Sequence, residues 1–445
     1  MTIISGFSRL PRSKKLEMLL GKLNDREKAL GEIESYRHPD PEVQKLHDEF
    51  SENTITNFHL PYGIAPNFLI NGRTYMLPMV TEESSVVAAA ARSAKFWSAR
   101  GGFRTRADQM IKNGQLHFTW KGDHARLKEA FPELRERLLE GTGHITSNMK
   151  KRGGGIESIE LVDKRDVMEG YYQISAGFDT GDSMGANFIN SCLEEFGRIF
   201  KEFLRTDQRF GEGGKEADII MAILSNYTDG CLVTAEISCE TDRLQEIASP
   251  LPADEFVRKF CMAVRIADTD IRRAVTHNKG IFNGMDAVVL ATGNDFRAVE
   301  AAGHAWAARS GRYGSLSESG TENGRFFLRM TIPLAVGTVG GITGLHPMAR
   351  RSLEILGNPG AKELMGIIAA GGLATNFAAV SSLVTSGIQS GHMRMHLSNI
   401  LNLLGADERE KEAAARFFSG KNIGYAAVEA FVNAMRKENN NGNQY

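Results

Sequence analysis

From Leu364 to Met393 the chain contains no Asp, Glu, Lys or Arg. A run of that length is able to cross a bilayer, and whether it does decides what kind of protein this is. A membrane span needs about 20 predominantly apolar residues. This run is instead interspersed with Gly, Ala, Ser, Thr and Asn, residues that let helix backbones approach one another closely. It predicts buried, tightly packed helices in a cytoplasmic protein, with no membrane segment. The opening MTIISGFSRLPRSKK lacks the apolar stretch of a signal peptide, which points the same way.

Charge narrows the partners. Fifty-three basic against 54 acidic residues leave a net charge of −1, with none of the basic excess a nucleic-acid-binding protein shows. The cysteines, Cys192, Cys231, Cys239 and Cys261, form no CxxC pair, so neither a zinc ribbon nor a dithiol redox motif is present. At about 100–200 residues per domain, 445 residues make two to four domains.

Patterning suggests the layout. Residues 13–35 read as one charged amphipathic helix, and 52–80 as a loop followed by short strands. Thr81 is placed to cap a helix running through VVAAAARSAKFWSAR, with Glu82 and Glu83 in its first turn. The texture then changes. Strand GQLHFTWKG, helix HARLKEAFPELRERLLEG, polar loop TGHITSNMKKRGGG, strands IESIELVD and YYQISAGFD, and helix MGANFINSCLEEFGRIFKEFLR suggest a small α+β domain inserted into a larger one. Lys279 falls in what reads as a polar turn, THNKG, and Asp295 ends what reads as a buried strand, DAVVLATGND. After GTVGGITG the chain reads as helical, and KENNNGNQY as a disordered tail.

Short motifs exclude more than they establish. Gly181-Asp182-Ser183-Met184-Gly185 satisfies GxSxG, yet no HGG-type oxyanion loop precedes it; a serine hydrolase acting through Ser183 is the minor alternative. The same turn opens a helix whose free N–H groups suit a phosphate. Gly153-Gly154-Gly155 is not a dinucleotide fingerprint, because no strand precedes it and the third spaced glycine is missing. His392 and His396 stand four apart, but Met-Arg-Met between them argues against zinc.

Taken in order, LPYGIAPNFLINGRTYMLPMVTEESSVVAAAA, GDSMGANFIN, THNKGIFNGMDAVVLATGNDFRAVEAAGHA, GTVGGITG and SGIQSGHM closely resemble the class II, soluble form of 3-hydroxy-3-methylglutaryl-coenzyme A reductase. The resemblance covers nearly the whole chain. It implies an α+β fold. A large mixed α/β dimerising domain (1–106 and 217–375) would enclose a small non-Rossmann, ferredoxin-like cofactor domain (107–216), with a helical C-terminal flap (376–445). It implies reduction of hydroxymethylglutaryl-CoA to mevalonate and CoA by two hydrides, in the mevalonate pathway of isoprenoid synthesis. The partner would be a second copy, as a homodimer with the active site at its interface or a hexamer of such dimers. No metal is implied.

Residue by residue, the resemblance assigns catalysis to Glu83, Lys279, Asp295 and His392. Lys279 would polarise the carbonyl oxygen, Glu83 would protonate the aldehyde, Asp295 would tune both, and His392 would protonate the departing thiolate. Arg273 would pair with the substrate carboxylate, with Ser85 and Asn283 bonding the same moiety and Arg9 placed against CoA. Asp182, Met184, Gly185, Ala186 and Asn187, with Gly337 and Gly340, would hold the cofactor phosphates. No acid precedes the glycine run to bind a ribose 2′-hydroxyl; Thr146 or Ser147 falls there, followed by Lys150, Lys151 and Arg152. That pattern favours NADPH, with NAD(H) and the mevalonate-degrading direction as the alternative.

Overall fold

The computed structural model describes residues 3–385, 397–419, 421 and 423–442. The chain divides into Met1–Tyr62 and Gly63–Tyr445. In the first unit, helices Arg12–Leu20, Arg26–Ser35 and Pro41–Glu49 follow one another. The single helix expected over 13–35 is two, because Asp25 accepts a bond from the Lys28 N–H and starts a second one. Arg37 holds the unit together with a bidentate bond to Asp48 at 3.2 and 2.8 Å.

The second unit begins with a hairpin of β1 (Tyr62–Ile70) and β2 (Arg73–Val80). Its turn, Asn71-Gly72, has φ of 49° and 82°, the left-handed pair that a two-residue hairpin needs. A four-stranded antiparallel sheet has the order β3-β8-β10-β9, from β3 (Arg104–Ala107), β8 (Leu232–Glu240), β9 (Ser317–Glu322) and β10 (Arg325–Pro333). One face of it packs into the main core with the helices Ala253–Thr269, Ile271–Ala291 and Ala361–Val384.

The second sheet has the order β5-β6-β4-β7, all antiparallel, from β4 (Ile111–Trp120), β5 (Gly155–Asp163), β6 (Tyr171–Asp179) and β7 (Ala217–Leu224). In chain order it reads strand, helices, two strands, helix, strand. The helix Ala186–Thr206 buries Ile189, Leu193, Phe196, Phe200 and Phe203 in a core separate from the first. Its fourth strand comes from residues read as the return to the large domain, so this sheet extends past the boundary expected at 216. TGHITSNMK, expected as loop, contains the helix Gly143–Lys150.

The largest departure from expectation lies at the centre. THNKGIFNG and DAVVLATG are neither turn nor strand but one helix, Ile271–Ala291. Its buried positions, Ala274, His277, Ile281, Met285 and Val288, recur at three and four, the helical period. The glycines that looked like turn formers are contact points. A Cβ at Gly284 would come within 2.3 Å of the Gly371 carbonyl on the helix Ala361–Val384. That second helix is the uncharged run, and it is buried along most of its length, as expected; it is long and apolar enough to cross a membrane, yet 78% of its apolar window lies inside the protein.

The helix Ala361–Val384 continues through the boundary expected at 376. Beyond it, a helix at 397–403 and the helices Glu408–Phe417 and Tyr425–Gly442 share a small core of Leu397, Leu401, Ala414, Val428 and Val432. The tail expected to be disordered is helical as far as Gly442.

Candidate active site

Two places gather the residues singled out above. The first lies between the loop after β2 and the outer face of the central helix. Glu82 and Glu83 precede the helix Val86–Ser98 instead of opening it: the Glu83 N–H donates to Thr81 Oγ1 at 3.1 Å, and Ser85 takes the capping position without a side-chain bond. The loop presents Glu83 to the central helix. Lys279 Nζ donates to Glu83 Oε2 at 2.7 Å, and Asn283 Nδ2 donates to the same oxygen at 3.4 Å. Lys279 and Asn283 are four apart and share one helix face. The opposite face is pinned. Thr375 Oγ1 donates to the Gly280 carbonyl at 2.9 Å, while buried His277 bonds through Nε2 to Ser317 Oγ at 2.7 Å and Asn376 Nδ2 at 3.2 Å. Burial, reinforced by the Arg273 charge, pushes His277 down to about 4, so it serves this network as a neutral imidazole.

Arg273 sits in the first turn of the same helix, half-buried, with its backbone N–H given to the Asp270 carboxylate. Its guanidinium has no hydrogen-bond or ion-pair partner among the described residues. Sequence reasoning missed Asp286, seven positions after Lys279. Burial first, and Glu300 beside it second, push its carboxyl up to about 8, and its Oδ1 has no hydrogen-bond partner. The only signal was an acid among apolar helix positions, visible once the helix is known.

The second place is a cavity of about 410 Å³ lined by Ser183–Phe188, Gly293–Asp295, Ala335, Gly337 and Val339–Thr343. Gly185, at φ 75°, ends the turn after β6 and opens the helix Ala186–Thr206, whose first N–H groups receive no side-chain cap. Gly337 allows the two loops to meet: a Cβ there would lie 2.7 Å from the Met184 nitrogen. The N–H groups of Thr338 and Val339 donate to the Asp182 carbonyl, and the Gly337 N–H donates to Asn294 Oδ1. Gly340, at φ 81°, turns the second loop.

Two side chains here are committed to structure. The Asp182 carboxylate accepts the Ala361 N–H at 2.7 Å, and the Ser183 hydroxyl donates to the Thr180 carbonyl at 2.9 Å. Among the described residues no histidine hydrogen-bonds Ser183, whose hydroxyl is given to the Thr180 carbonyl. Lys150, Lys151 and Arg152 are exposed, at and after the end of the helix Gly143–Lys150. The next turn packs on the end of β6, with Gly155 opposite Asp179. Thr146 is fully buried, which leaves Ser147 as the exposed hydroxyl.

Asp295 belongs to this second place. Its carboxylate caps the helix Phe296–Ala307, accepting from the Arg297 and Ala298 N–H groups, and it pairs with Arg297 at 3.3 Å. It makes no bond with Glu83 or Lys279. A turn and a short strand between them would bring Lys279 and Asp295 to one rim; the helix instead puts about 18 Å of rise between Lys279 and Ala291. Arg9 ends the short turn Phe7–Arg9 of the first unit and is exposed. His392 and His396 lie outside the described residues. Among the described residues no group of three His, Cys, Asp or Glu could hold a metal.

The family model described as hydroxymethylglutaryl-coenzyme A reductase matches residues 14–397. The chain belongs to that family. It is 35% identical over 376 residues to the Archaeoglobus fulgidus 3-hydroxy-3-methylglutaryl-coenzyme A reductase, covering 84% of this chain and 82% of that one. Among solved structures, the class II reductase of Streptococcus pneumoniae bound to NADPH in open conformations matches with a TM-score of 0.70 at 35% identity, over 86% of this chain and 100% of that one. A second structure of the Streptococcus pneumoniae enzyme matches with a TM-score of 0.71, over 98% of this chain and all of that one. This is a class II hydroxymethylglutaryl-CoA reductase: an oxidoreductase that reduces its thioester substrate to mevalonate. An ammonium, a carboxyl and an amide converging on one point suit that reaction, because each reduction of a carbonyl leaves an oxyanion that must be neutralised as it forms.

Proposed function

We propose that the reductase completes its active site from two copies of the chain, Glu83, Lys279 and Asn283 coming from one and Asp295 from the other. The observation that supports this is the layout of the central helix: Lys279 lies at its middle, bonded to Glu83, while Asp295 follows its far end on the glycine-lined cavity. Contacts in an isologous dimer are reciprocal, so each copy's Asp295 would complete the other copy's Glu83–Lys279 site. A hexamer of such dimers keeps the same site.

In this reading the small β5-β6-β4-β7 unit is a ferredoxin-like, non-Rossmann cofactor domain, and the C-terminal helices form a closing flap. The glycine-lined cavity fits a dinucleotide diphosphate, because the uncapped helix end at Ala186 offers backbone N–H groups and its dipole to an anion. Lys150, Lys151 and Arg152 have no ion-pair partner among the described residues and stand near this turn, which suits a 2′-phosphate and favours NADPH over NADH. NADPH, when bound, supplies the hydrides.

The chain's own residues supply the rest. Lys279 holds the substrate carbonyl oxygen and neutralises its charge as the thioester becomes a hemithioacetal. That intermediate collapses to an aldehyde and a CoA thiolate, which takes its proton from His392. Glu83 then gives a proton to the aldehyde oxygen in the second reduction, and Asp295 bonds between Glu83 and Lys279. Arg273 pairs with the substrate carboxylate, Ser85 and Asn283 bond its hydroxymethylglutaryl part, and Arg9 meets CoA. Glu83 is 32% exposed, and in this reading a second copy and the C-terminal helices exclude water from it. The enzyme works in the cytoplasm and in the biosynthetic direction.

Coupled measurement of nicotinamide absorbance and free thiol tests this reading. Two NADPH are consumed per CoA released, with kcat/KM higher for NADPH than NADH. One NADPH per CoA, ending at a free aldehyde, contradicts the mechanism.

A further inference from the structure

Lys112 is a lysine that neither the mechanism nor the family motifs use, and it is 2% exposed. It lies on β4, where Nζ donates to Thr180 Oγ1 at 2.7 Å and to the Ser183 carbonyl at 3.1 Å. Thr180 Oγ1 itself donates to the Ser183 carbonyl at 2.7 Å. The ammonium thus sits under the turn that opens the helix Ala186–Thr206. Burying a cation costs several kcal/mol unless something nearby favours it. Here burial pushes its pKa down, against the opposing fields of Cys231, Asp179 and Asp182.

None of those neighbours neutralises it directly. The Cys231 thiol is pushed up to about 11 by burial, so it is not a thiolate. The Asp179 carboxylate accepts the Gly181 N–H, and the Asp182 carboxylate accepts the Ala361 N–H. No carboxylate forms an ion pair with Lys112 among the described residues. The buried side chain is held by these hydrogen bonds, on a turn whose Ser183, Met184 and Gly185 also line the cavity.

We propose that Lys112 is a positioning residue for the dinucleotide: it fixes the Thr180–Gly185 turn in its phosphate-receiving shape and adds positive potential beneath it. This rests on the cofactor site proposed above. The turn needs fixing because its φ at Gly181 and Gly185 is 54° and 75°, a backbone with many other shapes open to it. The uncapped helix N-terminus attracts an anion only when its N–H groups converge, and Lys112 holds the residue two positions before Gly185.

The test compares the NADPH dissociation constant, read from nicotinamide fluorescence without turnover and expected to move with the NADPH KM, and the steady-state constants for both substrates in the full-length enzyme. Lys112→Met keeps most of the side-chain volume without the charge. It raises the NADPH KM by on the order of tenfold, about 1.4 kcal/mol, while kcat at saturating NADPH and the KM for hydroxymethylglutaryl-CoA stay within about twofold. Thr180→Val removes the shorter acceptor and keeps the charge, so it raises the NADPH KM less, in the same direction. It also keeps the inference open to refutation if Lys112→Met fails to fold. An unchanged NADPH KM in both variants overturns the inference, as does an equal loss for both substrates, which marks a purely structural lysine. Gly337→Ala separates the two readings: if it raises the NADPH KM while both other variants leave it alone, the cofactor site stands and only the role of Lys112 falls.

Discussion

The two candidate places are built from opposite materials. Around Glu83 the work falls to side chains: a carboxylate, an ammonium and an amide, aimed by a helix whose other face is locked by Gly284 against Gly371 and by His277 against Ser317. Around Gly185 and Gly337 it falls to backbone, with the side chains of Asp182, Ser183 and Asn294 spent on holding loops together. Proton transfer and oxyanion stabilisation need groups of defined charge at one point. A diphosphate needs several N–H donors spread over a concave surface, which side chains would obstruct. A change at the first place should therefore damage chemistry, and a change in the glycine loops of the second should damage cofactor binding, while Asp295 at its rim serves the chemistry.

Lys279→Ala gives the largest effect. Loss of the group proposed to face the developing oxyanion lowers kcat by about 10²–10³ or more, while the dissociation constant for NADPH, measured by fluorescence, stays within about twofold. A comparable loss of NADPH affinity would erase the distinction between the two places. Gly337→Ala does the converse. A methyl 2.7 Å from the Met184 nitrogen forces the loops apart. The NADPH KM rises by about one to two decades with the hydroxymethylglutaryl-CoA KM little changed, because the loss is of binding common to ground and transition states.

Replacing Lys150, Lys151 and Arg152 together by Gln sharpens the second place. The kcat/KM ratio of NADPH to NADH falls by about tenfold, the worth of one charge-assisted bond to a 2′-phosphate. An unchanged ratio shows these cations to be plain solvated surface. The smallest effect is on stability. Asp286 has a carboxyl whose pKa is raised by burial and by Glu300, so the folded protein binds a proton there that the unfolded chain releases. Its stabilising contribution is present below the unfolded pKa of 3.8 and is lost as pH rises through about 8. Asp286→Asn therefore raises the melting temperature by about 1–3 °C at pH 8 and leaves it unchanged at pH 4.

How much of this was legible depended on scale. The amphipathic helix Ala186–Thr206 and the alternating strands of the small sheet announce themselves through period, since each buries one face only. The central helix did not. Asn-Lys-Gly and Asn-Gly look like turns in isolation, and only the partner helix at Gly371 explains why Gly280 and Gly284 are needed. The hairpin of β9 and β10 is not among the expected elements, although its turn, Asn323-Gly324, has the left-handed φ values such turns require, 51° and 75°. Composition alone does not choose Glu83 over Glu82, or mark Asn283; the family motifs do, and in the structure it is Glu83 that accepts from Lys279 and Asn283. That Asp295 stands apart from Lys279 follows only from the helix between them, which the apolar run DAVVLATG does not announce.

That separation carries the central claim, and subunit complementation tests it. Lys279→Ala and Asp295→Asn chains, each inactive alone, are co-expressed with different tags, and the mixed dimers are purified through both. If each site takes Lys279 from one copy and Asp295 from the other, a mixed dimer has one site with both groups intact. It then recovers about half the wild-type kcat per dimer. If both groups served a site within one copy, every site in the mixed dimer would lack one of them. Activity would then stay at the level of the single variants, and the account would be wrong.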